Sequence, residues 1–291
     1  MKVKVKKVNA FTDSKEGGNP AGVVLNSPDL DDSQMAYISK HLKVSESAFV
    51  FPSNKADFKV RFFSPEIEVD LCGHATIATF YTMAKLGLIK GNKKTTVTQE
   101  TNVGILPIDI DFSKDGALNK VMMHQTKPVL KDIYFDLPEI ARSLGIPPEN
   151  IDNSLPKQIV STGLFTLPIC VTSFKVLKNI KPDFENIKKI CNKIGVGSLH
   201  LFTFDTIESN SIYHARNFAP VYGINEDPVT GTANGAVCSY LLKNNITKEK
   251  NLKCEQGDII GRPGRVFVEI ENDIVKVGGR AKIVKEKEIL L

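Results

Sequence analysis

Near the start of the chain, Val3 and Val5 alternate with lysines, which is the two-residue period of a half-buried strand. Phe58, Val60 and Phe62 alternate in the same way before Ser64-Pro65. The runs 199–204, 211–216, 266–270 and 274–277 also read as strands, and Gly, Pro or Asn punctuates most of them. Helical spacing is rarer. Asp31 or Asp32 caps a helix that carries Met35, Ile38 and Leu42 on one face. A second helix is expected near 138–144. A third is expected over 184–194, where Ile187, Ile190, Cys191 and Ile194 recur at helical intervals. Two further segments, 74–86 and 232–242, are apolar or small nearly all round. A helix with no polar face has to be buried on every side, so each is expected at a centre, wrapped by sheet.

Those two segments sit in a repeat. Arg61, Phe63 and Pro65 match Arg216, Phe218 and Pro220; after a three-residue insertion, Gly73, Ala75, Ala78 and Lys85 match Gly231, Ala233, Ala236 and Lys243. A single repeat at about 155 residues is too long for a solenoid and has the size of a duplicated lobe. Two pseudo-symmetric halves are expected, with a boundary between Met123 and Pro156. The Pro-rich stretch there (Pro128, Pro138, Pro147, Pro148, Pro156) reads as a linking region. In each half a strand runs through a Gly-containing turn into the buried helix. The first turn of a helix offers unpaired N–H groups and the positive end of the dipole, a ready anion site. Two such ends facing one cleft would grip a carboxylate without arginine.

Composition narrows the function classes. The 291 residues are 42% hydrophobic and 24% charged, as in ordinary globular proteins. The net charge of +5 is spread over scattered lysines, and Trp is absent. A nucleic-acid surface needs clustered basic residues with interleaved aromatics, so no nucleic-acid partner is expected. Five cysteines without a CxxC pair argue against a zinc ribbon, a thioredoxin motif and a disulfide framework, and fit a reducing cytoplasmic setting. MKVKVKKV lacks the unbroken apolar core of a secretory signal, and no run of about 20 apolar residues spans a membrane. HxxxH, HExxH, Walker A and GxGxxG motifs are absent, so neither a metal nor a nucleotide cofactor is expected.

The candidate chemistry is proton transfer, which needs a base, an acid to return the proton and stabilisation of the anion. Glu46 stands in Val44-Ser45-Glu46-Ser47-Ala48-Phe49-Val50, before a run that looks buried. A carboxylate there is placed to have a raised pKa and hold a proton; the alternative is a solvated Glu on a strand edge. His74 opens the first buried helix and either shuttles a proton or satisfies the helix end. Asp227, in Glu226-Asp227-Pro228, either holds a substrate group or caps the turn. Thr232 either caps the second helix or binds substrate oxygen. Cys72 sits where a helix N-terminus lowers a thiol pKa. The repeat places Thr230 opposite it, though, and Cys238 lies about two turns into the second helix, which argues against a thiol pair.

Six segments taken together, in order, resemble the phenazine-biosynthesis PhzF-like family of the diaminopimelate-epimerase-like fold. They are Asn9-Ala10-Phe11-Thr12, Gly18-Asn19-Pro20-Ala21, Ser45-Glu46-Ser47-Ala48-Phe49, Cys72-Gly73-His74-Ala75-Thr76, Glu226-Asp227-Pro228-Val229-Thr230-Gly231-Thr232-Ala233, and Glu255-Gln256-Gly257 with Gly261-Arg262-Pro263. The resemblance implies an α+β fold of two lobes, each a mostly antiparallel barrel-like sheet around a central helix, with the site between them. The lobes are expected at 1–125, completed by about 280–291, and at 126–279. It implies a cofactor-independent isomerase, commonly a homodimer, with Glu46 as acid–base residue assisted by His74 and Asp227. The substrate contacts it implies are Asn19, Gly73, Ala75, Thr76, Thr230, Gly231, Thr232 and Ala233. Thr232 stands where the family often has Ser, which adds a methyl to the pocket. The best-known member isomerises trans-2,3-dihydro-3-hydroxyanthranilate, so a small carboxylate of that kind is the expected substrate. Two other readings stay open: an amino-acid racemase or epimerase of the same fold, and a non-catalytic protein that binds small carboxylates.

Overall fold

A computed structural model describes residues 1–27 and 29–291 as a mixed α+β protein, with eighteen strands and six α-helices among the described residues. The chain divides into two compact units: 1–124 with 278–291, and 125–277.

In the first unit the elements run β1 (Lys2–Ala10), β2 (Asn19–Val24), α1 (Asp32–Leu42), β3 (Glu46–Phe51), β4 (Phe58–Phe63), β5 (Glu68–Val69), α2 (Gly73–Lys85), β6 (Lys94–Thr101), β7 (Gly104–Phe112) and β8 (Leu118–His124). β1 pairs antiparallel with β2, β2 parallel with β3, β3 antiparallel with β4 and β4 antiparallel with β5. β4 then pairs parallel with β6, and β6–β7–β8 form an antiparallel meander.

The second unit contains β9 (Val129–Asp132), α3 (Leu137–Leu144), β10 (Gln158–Ser161), β11 (Phe165–Cys170), α4 (Phe174–Asn179), α5 (Phe184–Ile194), β12 (Ser198–Thr203) and β13 (Tyr213–Ala219). It continues through β14 (Ile224–Asp227), α6 (Gly231–Lys243), β15 (Asn251–Gln256) and β16 (Gly264–Glu271). β17 (Ile274–Gly279) leads to β18 (Ala281–Leu290), which pairs antiparallel with β1. Within this unit β10–β11 is antiparallel, β11–β12 parallel, β12–β13 and β13–β14 antiparallel, β13–β15 parallel and β15–β16 antiparallel. That is the same sequence of pairings as β1–β2–β3–β4–β5–β6–β7.

The repeat also recurs in side-chain detail. Arg61 holds Glu68 with two hydrogen bonds, 2.8 and 2.7 Å, and its guanidinium lies 5.1 Å from the Phe63 ring centre. Arg216 holds Glu226 with two hydrogen bonds, 2.9 and 2.8 Å, and lies 4.9 Å from the Phe218 ring centre. The three-residue insertion falls between Pro220 and Glu226, in the loop that carries a 3-10 turn at Pro220–Tyr222.

The two helices without a polar face are buried along nearly their whole length. α2 packs on β1, β2, β3, β7, β8 and β18, and α6 on β10, β11 and β16. Burying polar threonines on a helix requires partners for the hydroxyls. Thr76, Thr79 and Thr82 donate to the carbonyls of Cys72, Ala75 and Ala78, one turn back, at 2.7–2.8 Å. Ser239 does the same to Gly235 in α6. Gly235 is needed for space: a Cβ there would come within 2.5 Å of Val277.

The remaining helices lie outside and follow their amphipathic pattern. Met35 and Ile38 of α1 join Val3, Val5, Phe49 and Phe63 in one core. Asp31 caps α1 in a reciprocal capping box with Gln34. Ile187 and Ile190 of α5 pack with Leu199, Leu201 and Phe218. That core also takes Ile140, Ala141 and Leu144 of α3, all fully buried. The Pro-rich stretch is therefore not a linker along its length: β9 pairs with β10 and α3 is core, with Pro138 in the first turn, where it displaces no hydrogen bond. The six-residue α4, capped by Ser173, was not expected from the sequence; it is too short to show a period. No helix among the described residues is long and apolar enough to cross a membrane.

A buried ionic knot in the second unit gives a pH prediction. Glu255 accepts hydrogen bonds from the amides of Ile207 and Glu208 at 2.9 and 2.6 Å and lies 2.9 Å from His214 Nδ1. Burial alone pushes this carboxyl up, but His214 and the two amides outweigh it and bring it down from 4.5 to about 2. A depressed carboxyl contributes stability above its unfolded pKa and loses it as pH falls toward the folded value. Unfolding free energy is therefore expected to drop by about 3 kcal/mol from this group between roughly pH 5 and pH 2. Denaturant melts across that range should show a shallower acid loss for Glu255→Gln than for the wild type.

Candidate active site

β3 begins at Glu46, which stands beside Ala21 of β2 in parallel register. Asn19, two residues earlier on β2, is buried. The β1–β2 turn that delivers this strand depends on Gly18: its φ is +68°, and a Cβ would lie 2.1 Å from the carbonyl oxygen of Ala10. β4 and β5 then lead to Cys72, the cap residue of α2, and His74 sits in the first turn.

The fold brings Glu46, Cys72 and His74 together. Glu46 Oε2 is 3.4 Å from His74 Nε2, and Cys72 Sγ is 3.4 Å from His74 Nδ1. The side chains of His74 and Glu46 are 12% and 19% exposed, so Glu46 is not a solvated strand-edge carboxylate. Both side chains keep some exposure, while Cys72 is buried.

The amides nearby have an unusual standing. The side chains of Asp31, Asp136, Ser173 and Asp183 each accept from a first-turn amide of the outer helices α1, α3, α4 and α5. Neither Cys72 of α2 nor Thr230 of α6 does so, and neither first turn holds an acidic residue. The positive end of each central helix therefore lacks a protein counter-group of that kind. Gly73, His74 and Ala75 carry the first-turn amides of α2. Thr76 does not belong with them: its amide and its hydroxyl both bond to the Cys72 carbonyl, and it is fully buried.

Asp227, Thr230, Gly231, Thr232 and Ala233 cluster in the second unit. Thr230, rather than Thr232, is the cap residue of α6, and its hydroxyl donates to the Asp227 carboxylate. Thr232 is two residues further in, the second residue of α6, half-buried, with its carbonyl accepting from Thr162 Oγ1 at 3.2 Å. The Thr230 amide is engaged by Gln256 Oε1 at 3.0 Å, which leaves Gly231, Thr232 and Ala233 as the first-turn donors.

Gln256 is the residue whose role sequence reasoning missed. It is buried, accepts from Thr230 N and Asn234 Nδ2, and donates to the Asp227 carbonyl and to Thr230 Oγ1. One side chain thus fixes the whole turn from Asp227 to the start of α6. Gln99 on β6 makes a weaker contact of similar kind, donating to Thr76 at 3.5 Å, but its register against β4 matches that of Cys254 against β13. The signal was a Gln in the strand after each buried helix. Gln256→Ala is expected to lose about 1–3 kcal/mol of stability by stranding these groups and to weaken binding of any ligand held by the α6 amides. Denaturant melts and a ligand titration check both effects.

A family model described as phenazine biosynthesis-like protein, PhzC-PhzF, matches residues 8–287. The chain belongs to this family. Uncharacterized isomerase YfhB of Bacillus subtilis is 35% identical over 280 residues, covering 96% of this chain and 93% of that protein. The crystal structure of the Bacillus anthracis phenazine biosynthesis protein of the PhzF family superposes with a TM-score of 0.91 at 34% identity, over 100% of both chains. A hydroxyproline epimerase of Agrobacterium vitis, solved with trans-4-hydroxy-L-proline, shares the fold at 13% identity and a TM-score of 0.64, over 99% of this chain and 91% of that one. Like its PhzF-family relatives, the protein is an isomerase.

Proposed function

We propose that this PhzF-family member shifts a proton on a small carboxylate substrate without a cofactor, with Glu46 taking and returning the proton. One observation carries the reading: a half-buried carboxylate lies 3.4 Å from an imidazole at the uncapped N-terminus of a buried helix. The carboxylate removes a proton from a carbon activated by conjugation. Negative charge that develops on the substrate is met by the amides of Gly73, His74 and Ala75 and by the helix dipole, which are oriented before the reaction begins. His74 orients Glu46 and relays or stabilises charge. Asn19, on the β2 side, is proposed as a further substrate contact, and in the second unit Asp227 with the amides of Gly231, Thr232 and Ala233 is proposed as an anion-binding turn of the same kind. The two-lobed, duplicated organisation expected from the sequence belongs to the same proposal.

Incubating the enzyme in D2O with a panel of small unsaturated and amino carboxylates, followed by proton NMR, tests this. A relocated double bond with exchange at carbon is the expected result. Deuterium at an α-carbon with inversion would instead indicate a racemase, and full activity of Cys72→Ala would count against a thiol route. Ligands that stabilise the protein thermally yet never exchange would reduce it to a binding protein.

A further inference from the structure

The sequence holds no metal-ligand motif, yet the fold assembles three different ligand types at one point. One ligand atom each from Glu46, Cys72 and His74 lies within 4.8 Å of the other two. We propose that these residues form a binding site for a thiophilic divalent cation of the Zn2+ class.

The distances suit such an ion. With Zn–S near 2.3 Å and Zn–N and Zn–O near 2.0–2.1 Å, the edges of a tetrahedral site are about 3.3–3.6 Å. His74 Nε2 is 3.4 Å from Glu46 Oε2 and 3.9 Å from Cys72 Sγ. The Cys72 sulfur now lies nearer Nδ1 (3.4 Å) than Nε2 (3.9 Å), so closing the set around an ion on Nε2 requires the Cys72 and His74 side chains to turn until the sulfur faces Nε2. The ligand set selects the ion: a thiolate with an imidazole favours Zn2+ or Co2+ over Mg2+ or Ca2+, which prefer oxygen. Three protein ligands leave a fourth position for water, and the partial exposure of Glu46 and His74 supplies an entry path. On binding, the Cys72 thiol releases its proton to solvent and its sulfur becomes the ligand. An ion held there occupies the carboxylate of Glu46. If Glu46 is the base as proposed above, Zn2+ is then an inhibitor of the enzyme, and this consequence alone rests on that reading.

Cobalt supplies a readout independent of activity. Chelator-treated, reduced protein titrated with Co2+ is expected to take up a single equivalent and to develop a thiolate-to-cobalt charge-transfer band that Zn2+ abolishes. Cys72→Ser should lose the band. His74→Ala and Glu46→Ala should each weaken binding by more than the roughly 10–100-fold lost with a supporting residue. The rival thiols are Cys238 and Cys254, whose sulfurs lie 3.3 Å apart in the second unit. Cys254→Ser should leave the band intact. A band that survives Cys72→Ser, one that disappears in Cys254→Ser, or no uptake at micromolar Co2+ overturns the site. Turnover retained in Glu46→Gln removes the base assignment and leaves the cobalt result standing.

Discussion

Glu46→Gln is expected to lower turnover by a factor on the order of a hundred or more, with ligand binding kept. The substitution preserves shape and a carbonyl oxygen that can still face His74 Nε2, now 3.4 Å from Oε2. What it removes is the capacity to accept a proton from carbon. Glu46 is the first residue of β3 and is partly exposed, so the fold has little to lose; a half-buried polar swap that leaves no stranded group changes stability by about 0.5 kcal/mol or less. A fall in kcat with KM nearly unchanged identifies an interaction made in the transition state. The measurement is the rate of carbon–hydrogen exchange for whichever carboxylate the NMR panel identifies, alongside a thermal-shift titration with the same compound. If exchange proceeds at the wild-type rate, Glu46 is not the base. If exchange and binding vanish together while the fold persists, its role lies in holding substrate.

Much of this site was legible in the sequence because it is built from short local patterns. The junction of Cys72, Gly73 and His74 reads as strand, turn and buried helix, and the structure starts α2 at Gly73. The repeated Arg and Phe positions were visible in the sequence, but the strand pairings that both repeats share were not, since register is set by contacts between distant segments. What stayed hidden depends on long-range contacts. Glu68 is an unremarkable acid in the sequence and Glu226 stands there only as part of a motif; only the strand turn β4–β5, or β13–β14, brings each to its arginine. Gln256 offered a motif without a role, because its four hydrogen bonds go to a turn some twenty to thirty residues away in the chain. The metal-type grouping of Glu46 with Cys72 and His74 escaped for the same reason: motif spacing finds ligands on one helix, whereas here β3 and the α2 turn supply them separately. Thr232 was misassigned as a possible cap because helix boundaries are uncertain by a residue or two from pattern alone.

The paired arginines allow the two halves of the repeat to be compared by mutation, and the larger loss is expected at Arg216. Both arginines make the same two-pronged contact with a glutamate and cover a phenylalanine. Their surroundings differ. The Arg216 side chain is 8% exposed against 21% for Arg61. Arg216 Nη1 also donates to the carbonyls of Leu177 and Ile180, at 3.1 and 3.2 Å, at the C-terminal part of α4 and its cap. Arg61 instead adds an ion pair with Asp32, whose side chain is 72% exposed. Arg216→Met therefore strands a largely buried Glu226 and two carbonyls at once. Breaking a buried pair from one side costs about 3–5 kcal/mol, because the remaining charge keeps its desolvation penalty without its partner. Arg61→Met leaves Glu68 where water can reach it, and about 1 kcal/mol is expected from a pair that solvent screens. Urea unfolding of the two variants reads the difference directly, and the double variant Arg216→Met with Glu226→Leu should recover much of the loss, since it removes both charges together. Equal losses at the two arginines would mean that burial does not govern the pair, and failure of the double variant to recover would place the effect in the α4 carbonyls.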